Sequence, residues 1–225
     1  MRSSTAVSRR DGRRFPCPSR GLQLLLCALC AFVAQIGATP AAVPLIAIQN
    51  IDPSIRVELR YNGTNNIFKR RFYRSNVAML RIPVAQRLAR VQARLRRQGL
   101  GLKIWDAYRP RSVQYALWKV RPGTRFLANP RKGSKHSRGA AVDLTLVDAD
   151  GRELKMPTPH DEFSPRARRG ATRGISKEGR KNGLVLDAAM RAEGFLPNRG
   201  EWWHFDAPDW RKYPLSDAPL PSDPR

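Results

Sequence analysis

Ser134-Lys135-His136-Ser137-Arg138-Gly139-Ala140-Ala141-Val142-Asp143 is the stretch around which the chain is organised. A histidine sits in a polar, glycine-flanked loop, and an aspartate follows inside the small and apolar run 140–147, which reads as a strand. Gly139 lets the chain turn so that both side chains can converge. Far downstream, Glu201-Trp202-Trp203-His204 adds a second histidine and a free acid. The chain has three histidines, His136, His160 and His204, and these two stretches hold two of them. Where thiolates are absent, zinc takes imidazole nitrogen and carboxylate oxygen, and a catalytic site keeps one position open for water. The expectation is that His136, Asp143 and His204 hold one Zn2+. Glu201, three residues before the last ligand, would reach the water rather than the ion, as base and then acid. Each feature alone has an ordinary reading. A lone histidine is more often structural, and a lone strand aspartate more often marks an edge or turn. The combination carries the argument.

Outward from this stretch the chain alternates irregularly. Downstream, Asp148-Ala149-Asp150-Gly151 is a turn opening a hairpin into 153–156. The irregular stretch 156–174 has the length that usually carries function. Apolar Leu184, Leu186, Ala188, Ala189 and Met190 predict a helix over 177–193, with Gly183 counting against its start. Residues 202–205 read as the last strand, with Trp202 and Trp203 on opposite sides, one in the core and one walling the site. Upstream lie a basic loop at 121–135, a helix at 112–120 begun after Pro110, and a strand at 102–106. Val84, Leu88, Val91 and Leu95 predict an amphipathic helix over 84–97, ended by Gly99. Residues 55–61 alternate as an extended segment, and 62–66 is a loop. The pattern predicts a single-domain α+β fold: a small antiparallel sheet flanked by helices, with the zinc site on the sheet.

A length of 225 residues suits one domain with a proper core. The net charge is +24, from 42 Lys+Arg against 18 Asp+Glu, which first suggests nucleic acid or an anionic surface. No nucleic-acid motif accompanies it. Residues 1–38 place six arginines and one acid around an apolar run, 22–34, followed by Gly37 and Ala38. That order predicts a secretory signal peptide over 1–38, and so a periplasmic or envelope location. An uncleaved anchor is the alternative, although the run is shorter than the roughly 20 apolar residues of a spanning helix. Residues 39–50 read as a linker, 51–208 as the catalytic domain and 209–225 as a proline-rich tail. Cys17, Cys27 and Cys30 all fall in the leader, so the domain has neither a disulfide framework nor a cysteine metal site. Arg87, Arg90, Arg94, Arg96 and Arg97 are expected on a solvated helix face. From another class of function, a basic module that binds envelope polymers without catalysis also fits the charge.

Three stretches together resemble the D-alanyl-D-alanine dipeptidases of the vancomycin-resistance (VanX) type, within the zinc D,D-peptidases. They are Ser-Lys-His-Ser-Arg-Gly-Ala-Ala-Val-Asp-Leu-Thr-Leu at 134–146, Glu-Trp-Trp-His at 201–204 and Trp-Asp-Ala-Tyr-Arg-Pro at 105–110. The resemblance runs from about Ile51 to Asp206. It implies His136, Asp143 and His204 as zinc ligands, Glu201 as catalytic base and acid, and Arg109 as the group that stabilises the tetrahedral oxyanion. Without it Arg109 is one arginine among many. Tyr61, Asp106, Ser134 and Asp161 fall where the family shapes its dipeptide pocket, so the resemblance implies substrate contacts there. Asp161 would face the substrate's free amino group. The implied reaction is hydrolysis of D-Ala-D-Ala to two D-Ala in cell-wall peptide metabolism. A D,D-carboxypeptidase trimming peptidoglycan stem peptides is the alternative with the same chemistry. The implied partner is a small D,D-dipeptide and no nucleic acid, with weak attraction to the anionic envelope. Oligomeric state is not legible. One departure stands out: His160 occupies a place where relatives carry an aromatic such as Phe. It is expected as a pocket-wall substitution rather than a fourth ligand, bearing on substrate range.

Overall fold

Val84, Leu88, Val91 and Leu95 recur at helical spacing, and they become the fully buried stripe of α1 (Ile82–Arg96). Pro83 at its first turn suits a position where no backbone N–H is needed. Burying each of these side chains contributes roughly 1.5–3 kcal/mol relative to exposure. The computed structural model describes residues 43–123 and 126–223. The expected signal peptide or anchor at 1–38, with its three cysteines, lies outside the described residues. Among the described residues no helix is long and apolar enough to cross a membrane.

The main sheet contains β2 (Arg56–Val57), β4 (Gly101–Asp106), β5 (Ala141–Val147), β6 (Leu196–Pro197) and β7 (His204–Asp206), in the order β2-β4-β5-β7-β6. The fold is α+β, as expected. Three pairings are antiparallel, and the edge pair β2–β4 is parallel. Its central strand, β5, is buried along its whole length, which is why its sequence is small and apolar apart from Asp143 and Thr145. Two further strands, β1 (Leu45–Ala47) and β3 (Met79–Arg81), form a separate antiparallel pair.

Helix α2 (Arg111–Val120) starts directly after Pro110. Helix α3 (Lys177–Ala192) starts at Ser176, whose side chain accepts a hydrogen bond from the Gly179 N–H at 3.0 Å. A Cβ at Gly183 would lie 3.0 Å from Pro157 Cγ, so this glycine lets the irregular stretch approach the helix closely. Buried Gln92 of α1 is satisfied: its carbonyl accepts from Leu102 N–H at 2.8 Å, and its amide donates to Ser54 Oγ at 3.1 Å.

Several expectations shift. The stretch read as a linker carries β1, and Ile48 within it is buried in the core. The final strand starts at His204, and Trp202 and Trp203 lie before it, both buried, with rings at 86°. The proline-rich tail returns to the domain. Tyr213 is buried, Ser216 N–H donates to Ser137 carbonyl at 2.8 Å, and Arg111 N–H donates to Ser216 carbonyl at 3.2 Å. The α1 arginines are not merely solvated. Arg90 and Arg94 each meet the Glu193 carboxylate at 3.0 Å, tying α1 to the end of α3.

Candidate functional site

The register of β5 against β7 places Asp143 directly opposite His204. Cross-strand partners share a face with Cβ atoms only about 4.5–5.5 Å apart. Asp143 Oδ1 and His204 Nδ1 are accordingly 2.9 Å apart. His136 enters from the preceding loop, on a single helical turn closed by Gly139 at φ 67°. A Cβ at Gly139 would run into the Leu45 side chain, so the turn requires glycine in both conformation and space. His136 Nε2 then lies 3.2 Å from His204 Nδ1 and 3.5 Å from Asp143 Oδ2.

Each imidazole is fixed from behind. His136 Nδ1 is 2.7 Å from the Ala107 carbonyl, which can only accept. His204 Nε2 is 3.0 Å from Asp206 Oδ1. These outer bonds assign the protons to the rear nitrogens and leave lone pairs on His136 Nε2 and His204 Nδ1. Two lone pairs and a carboxylate therefore converge, with donor atoms within 4.8 Å of one another, a set that could hold a metal ion. The nitrogen, nitrogen and oxygen set fits zinc. Burial opposes a charged His204, but its hydrogen bonds to the Asp143 and Asp206 carboxylates outweigh it and lift its pKa to about 10. A proton thus competes for the place a metal ion would take. Burial likewise pushes the Asp143 carboxyl up, but the adjacent His136 and the bonds from the histidines hold it well below the ordinary carboxylate range.

Glu201 stands beside this centre, its Oε2 3.9 Å from His204 Nδ1 and accepting from Asn198 Nδ2 at 3.2 Å. Burial raises its pKa to about 7, despite His204 lowering it, which suits a group that takes and returns a proton near neutrality. The turn carrying Glu201 is pinned by Arg169. Its Nη2 donates to the carbonyls of Glu201, Trp202 and His204 at 3.1, 2.8 and 3.1 Å, and its Nη1 pairs with Asp187 of α3 at 2.6 Å. Burial lowers the Arg169 pKa to about 10, against the pull of Asp187.

The opposite wall holds Arg109. Its Nε donates to Asp106 Oδ2 at 2.9 Å, its Nη2 binds the same oxygen, and its Nη1 donates to Gln114 Oε1 at 2.7 Å. The guanidinium lies 5.2 Å from the centre of the Tyr61 ring. Tyr61 OH donates to Asp161 Oδ2 at 3.0 Å. Asp161 adopts the left-handed backbone region, φ 59°, a conformation aspartate tolerates better than most residues. Burial raises its carboxyl pKa, with His160 acting in the other direction. Ser134 Oγ accepts from His136 N–H at 3.2 Å.

Together these residues enclose a cavity of about 240 Å³. Tyr61, Arg109, Ser134, Asp161, Glu201 and the three donors line it, with Trp203 and Phe163 as apolar wall. That is below the ~300–1,000 Å³ of sites for drug-sized ligands, so the space suits a small polar substrate. A larger hollow of about 860 Å³, bordered by Asp161 and His160, is lined by none of the three donors. Size alone does not locate the chemistry.

Two expectations are corrected. Asp106 is fully buried and does not line the cavity. Its carboxylate is engaged by Arg109 and by Tyr73 OH at 2.8 Å. His160 is not part of the cavity wall either. It lies behind Asp143, its Nε2 3.7 Å from Asp143 Oδ2. Of the two tryptophans, Trp203 walls the cavity and Trp202 donates to Thr158 Oγ1 at 2.9 Å. The sequence reading missed Asp206, Gln114, Asn198 and Arg169. Asp206 left a signal, since residues two apart on a strand share a face with His204. Gln114 and Arg169 left none.

The Peptidase M15 family model, described as D-ala-D-ala dipeptidase, matches residues 41–217. The D-alanyl-D-alanine dipeptidase of Escherichia coli (strain K12) is 34% identical over 171 residues, covering 76% of this chain and 88% of that protein. The Streptomyces coelicolor enzyme of the same name is 36% identical over 137 residues, covering 52% and 67%. The Enterococcus faecalis one is 30% identical over 156 residues, covering 61% and 73%. Among solved structures, VanYB in complex with D-Alanine-D-Alanine aligns at a TM-score of 0.37 and 18% identity, covering 76% of this chain and 88% of that one.

Proposed function

This chain belongs to the D-alanyl-D-alanine dipeptidase family of M15 metallopeptidases, and from that premise we propose that it hydrolyses free D-Ala-D-Ala to two D-Ala, using one zinc ion held by His136, Asp143 and His204. The observation that supports it is the convergence of His136 Nε2, His204 Nδ1 and the Asp143 carboxylate beside Glu201, in a cavity of dipeptide scale. Bound by these residues, zinc would activate water and polarise the scissile carbonyl. Glu201 takes the proton of the attacking water and passes it to the leaving amine, a transfer its raised pKa favours. Arg109, held rigid by Asp106 and Gln114, presents fixed positive charge to the carbonyl oxygen as it becomes anionic. Asp161, oriented by Tyr61 OH, accepts the substrate's ammonium, and Ser134 offers a hydroxyl on the same wall. The arginine-rich leader and its apolar run support export to the periplasm or envelope, and the net charge of +24 supports weak attraction to anionic envelope polymers.

The deciding experiment compares hydrolysis of D-Ala-D-Ala with that of an N-acetylated D-Ala-D-Ala, alongside metal analysis of the purified protein. Capture of the free amine by Asp161 requires strong preference for the unblocked dipeptide and one zinc per chain. Equal turnover of both substrates would overturn the dipeptidase reading in favour of a D,D-carboxypeptidase.

A further inference from the structure

His160 carries a group that the mechanism above leaves unused. Its side chain is 5% exposed, and neither ring nitrogen has a hydrogen-bond partner. Three aromatic rings box it in, with centroids 5.0 Å away at Trp105, 5.5 Å at Trp203 and 6.4 Å at Tyr61. A phenylalanine of similar shape would fill that box, so packing does not account for the nitrogens. A buried N–H left unmade is costly, and buried polar groups in folded proteins almost always find a partner. Two acceptors stand just beyond bonding length of Nε2: Asp143 Oδ2 at 3.7 Å and Asp161 Oδ1 at 3.6 Å. Both oxygens face the same nitrogen at nearly equal distance, so one Nε2–H stands between the two carboxylates.

These two carboxylates face different tasks. Asp143 belongs to the metal-donor set, and its Oδ1 is already engaged by His204. Asp161 lines the substrate cavity and is held on its other oxygen by Tyr61. We propose that His160 is a positioning residue that braces Asp143 and Asp161 at once, fixing the metal carboxylate relative to the carboxylate that receives the substrate amine. It is not itself in the set of donor atoms that converge on one ion. This rests on the zinc dipeptidase reading above, and it adds a joint between metal affinity and amine recognition.

The test uses the full chain with three substitutions. His160→Phe keeps the aromatic volume and removes the nitrogens. His160→Gln keeps a donor, and His160→Leu serves if the Phe variant does not fold. Zinc affinity is measured with the metal alone, by chelator competition, and kcat and KM are measured with D-Ala-D-Ala. Removing an outer support of a metal ligand costs about 10–100-fold in metal affinity. His160→Phe should therefore weaken zinc by about tenfold or more. It should raise KM by a larger factor than it lowers kcat, and His160→Gln should recover part of both. The absorption of the Co2+-substituted protein should keep the wild-type band shape. Unchanged zinc affinity and KM in His160→Phe would reduce His160 to a space-filler. A Co2+ spectrum showing one nitrogen ligand fewer would make it a direct ligand, and either result overturns the proposal. Failure of the underlying reading looks different: wild-type protein would bind no zinc, or His204→Ala would bind it as tightly as wild type.

Discussion

The face of α1 turned toward the sheet and the end of the sheet that carries the three donors are both largely buried, yet they are made of opposite materials. On α1, Val84, Leu88, Val91 and Leu95 are held by contact with other apolar groups, and no single partner is indispensable. At the end of β5 and β7, each polar group is held by a named partner: His136 by Ala107, His204 by Asp206, Asp206 by Lys135 at 2.5 Å, Arg109 by Asp106 and Gln114. Apolar burial is additive and tolerant of shape changes that conserve volume. Buried polar networks are neither, because losing one member strands another without its counter-charge. Stability therefore resides mainly on one side of the molecule and chemistry on the other.

That separation can be broken by substitutions that cross it. The largest effect expected is on turnover alone. Glu201→Gln should lower kcat by about 10²–10⁴-fold while leaving zinc content and melting temperature near wild type; loss of zinc would show that Glu201 acts as a ligand instead. Next is the converse. Leu88→Ala should cost about 2–5 kcal/mol in urea unfolding, with kcat/KM of the folded protein unchanged at low temperature. A matching loss of activity would mean the two sides are coupled. Third, Asp206→Asn removes the carboxylate behind His204, and should cost about 10–100-fold in zinc affinity, read by chelator competition, with little change in fold.

The smallest effect sharpens the contrast at the half-buried rim. Burial raises the Glu153 carboxyl pKa, but a hydrogen bond from Trp105 at 2.9 Å and the charges of Arg60 and Lys103 hold it below the ordinary 4.5. A depressed folded pKa contributes stability that is present above the unfolded value and lost as pH falls through the folded one. Glu153→Gln should thus lower the melting temperature slightly at pH 7, by no more than about 1 kcal/mol equivalent. The gap to wild type should close as pH falls below 4.5. A gap that persists or widens in acid would assign the loss to packing.

Much of the site was legible because its chemistry uses rare residue types. In a chain with three histidines and no cysteine beyond Cys30, two histidines, an aspartate and a glutamate in two short stretches restrict the metal chemistry severely. Helices α1, α2 and α3 were legible because apolar patterning and flanking proline and glycine are local signals. The strand β3 was not, since three residues carry no period, and neither was the parallel edge, which needs β4 before β2 has a partner. Asp106 was misplaced for a related reason. The resemblance places it among the residues that shape the dipeptide pocket, and its pairing with Arg109 and Tyr73 is visible only in the structure.

The amino-acid order by itself determined the donor set, the free acid beside it and the three helices, because residue identity and short-range spacing are written directly in the chain. Only the tertiary structure decided that Asp143 faces His204, since a one-residue slip between β5 and β7 would put their side chains on opposite faces. It also decided that Arg169 pins the turn of Glu201 across more than thirty residues, and that the tail returns over Ser137. It set His160 between two carboxylates as well. Contacts of that kind arise from packing between distant segments, and no local pattern encodes which segments will meet.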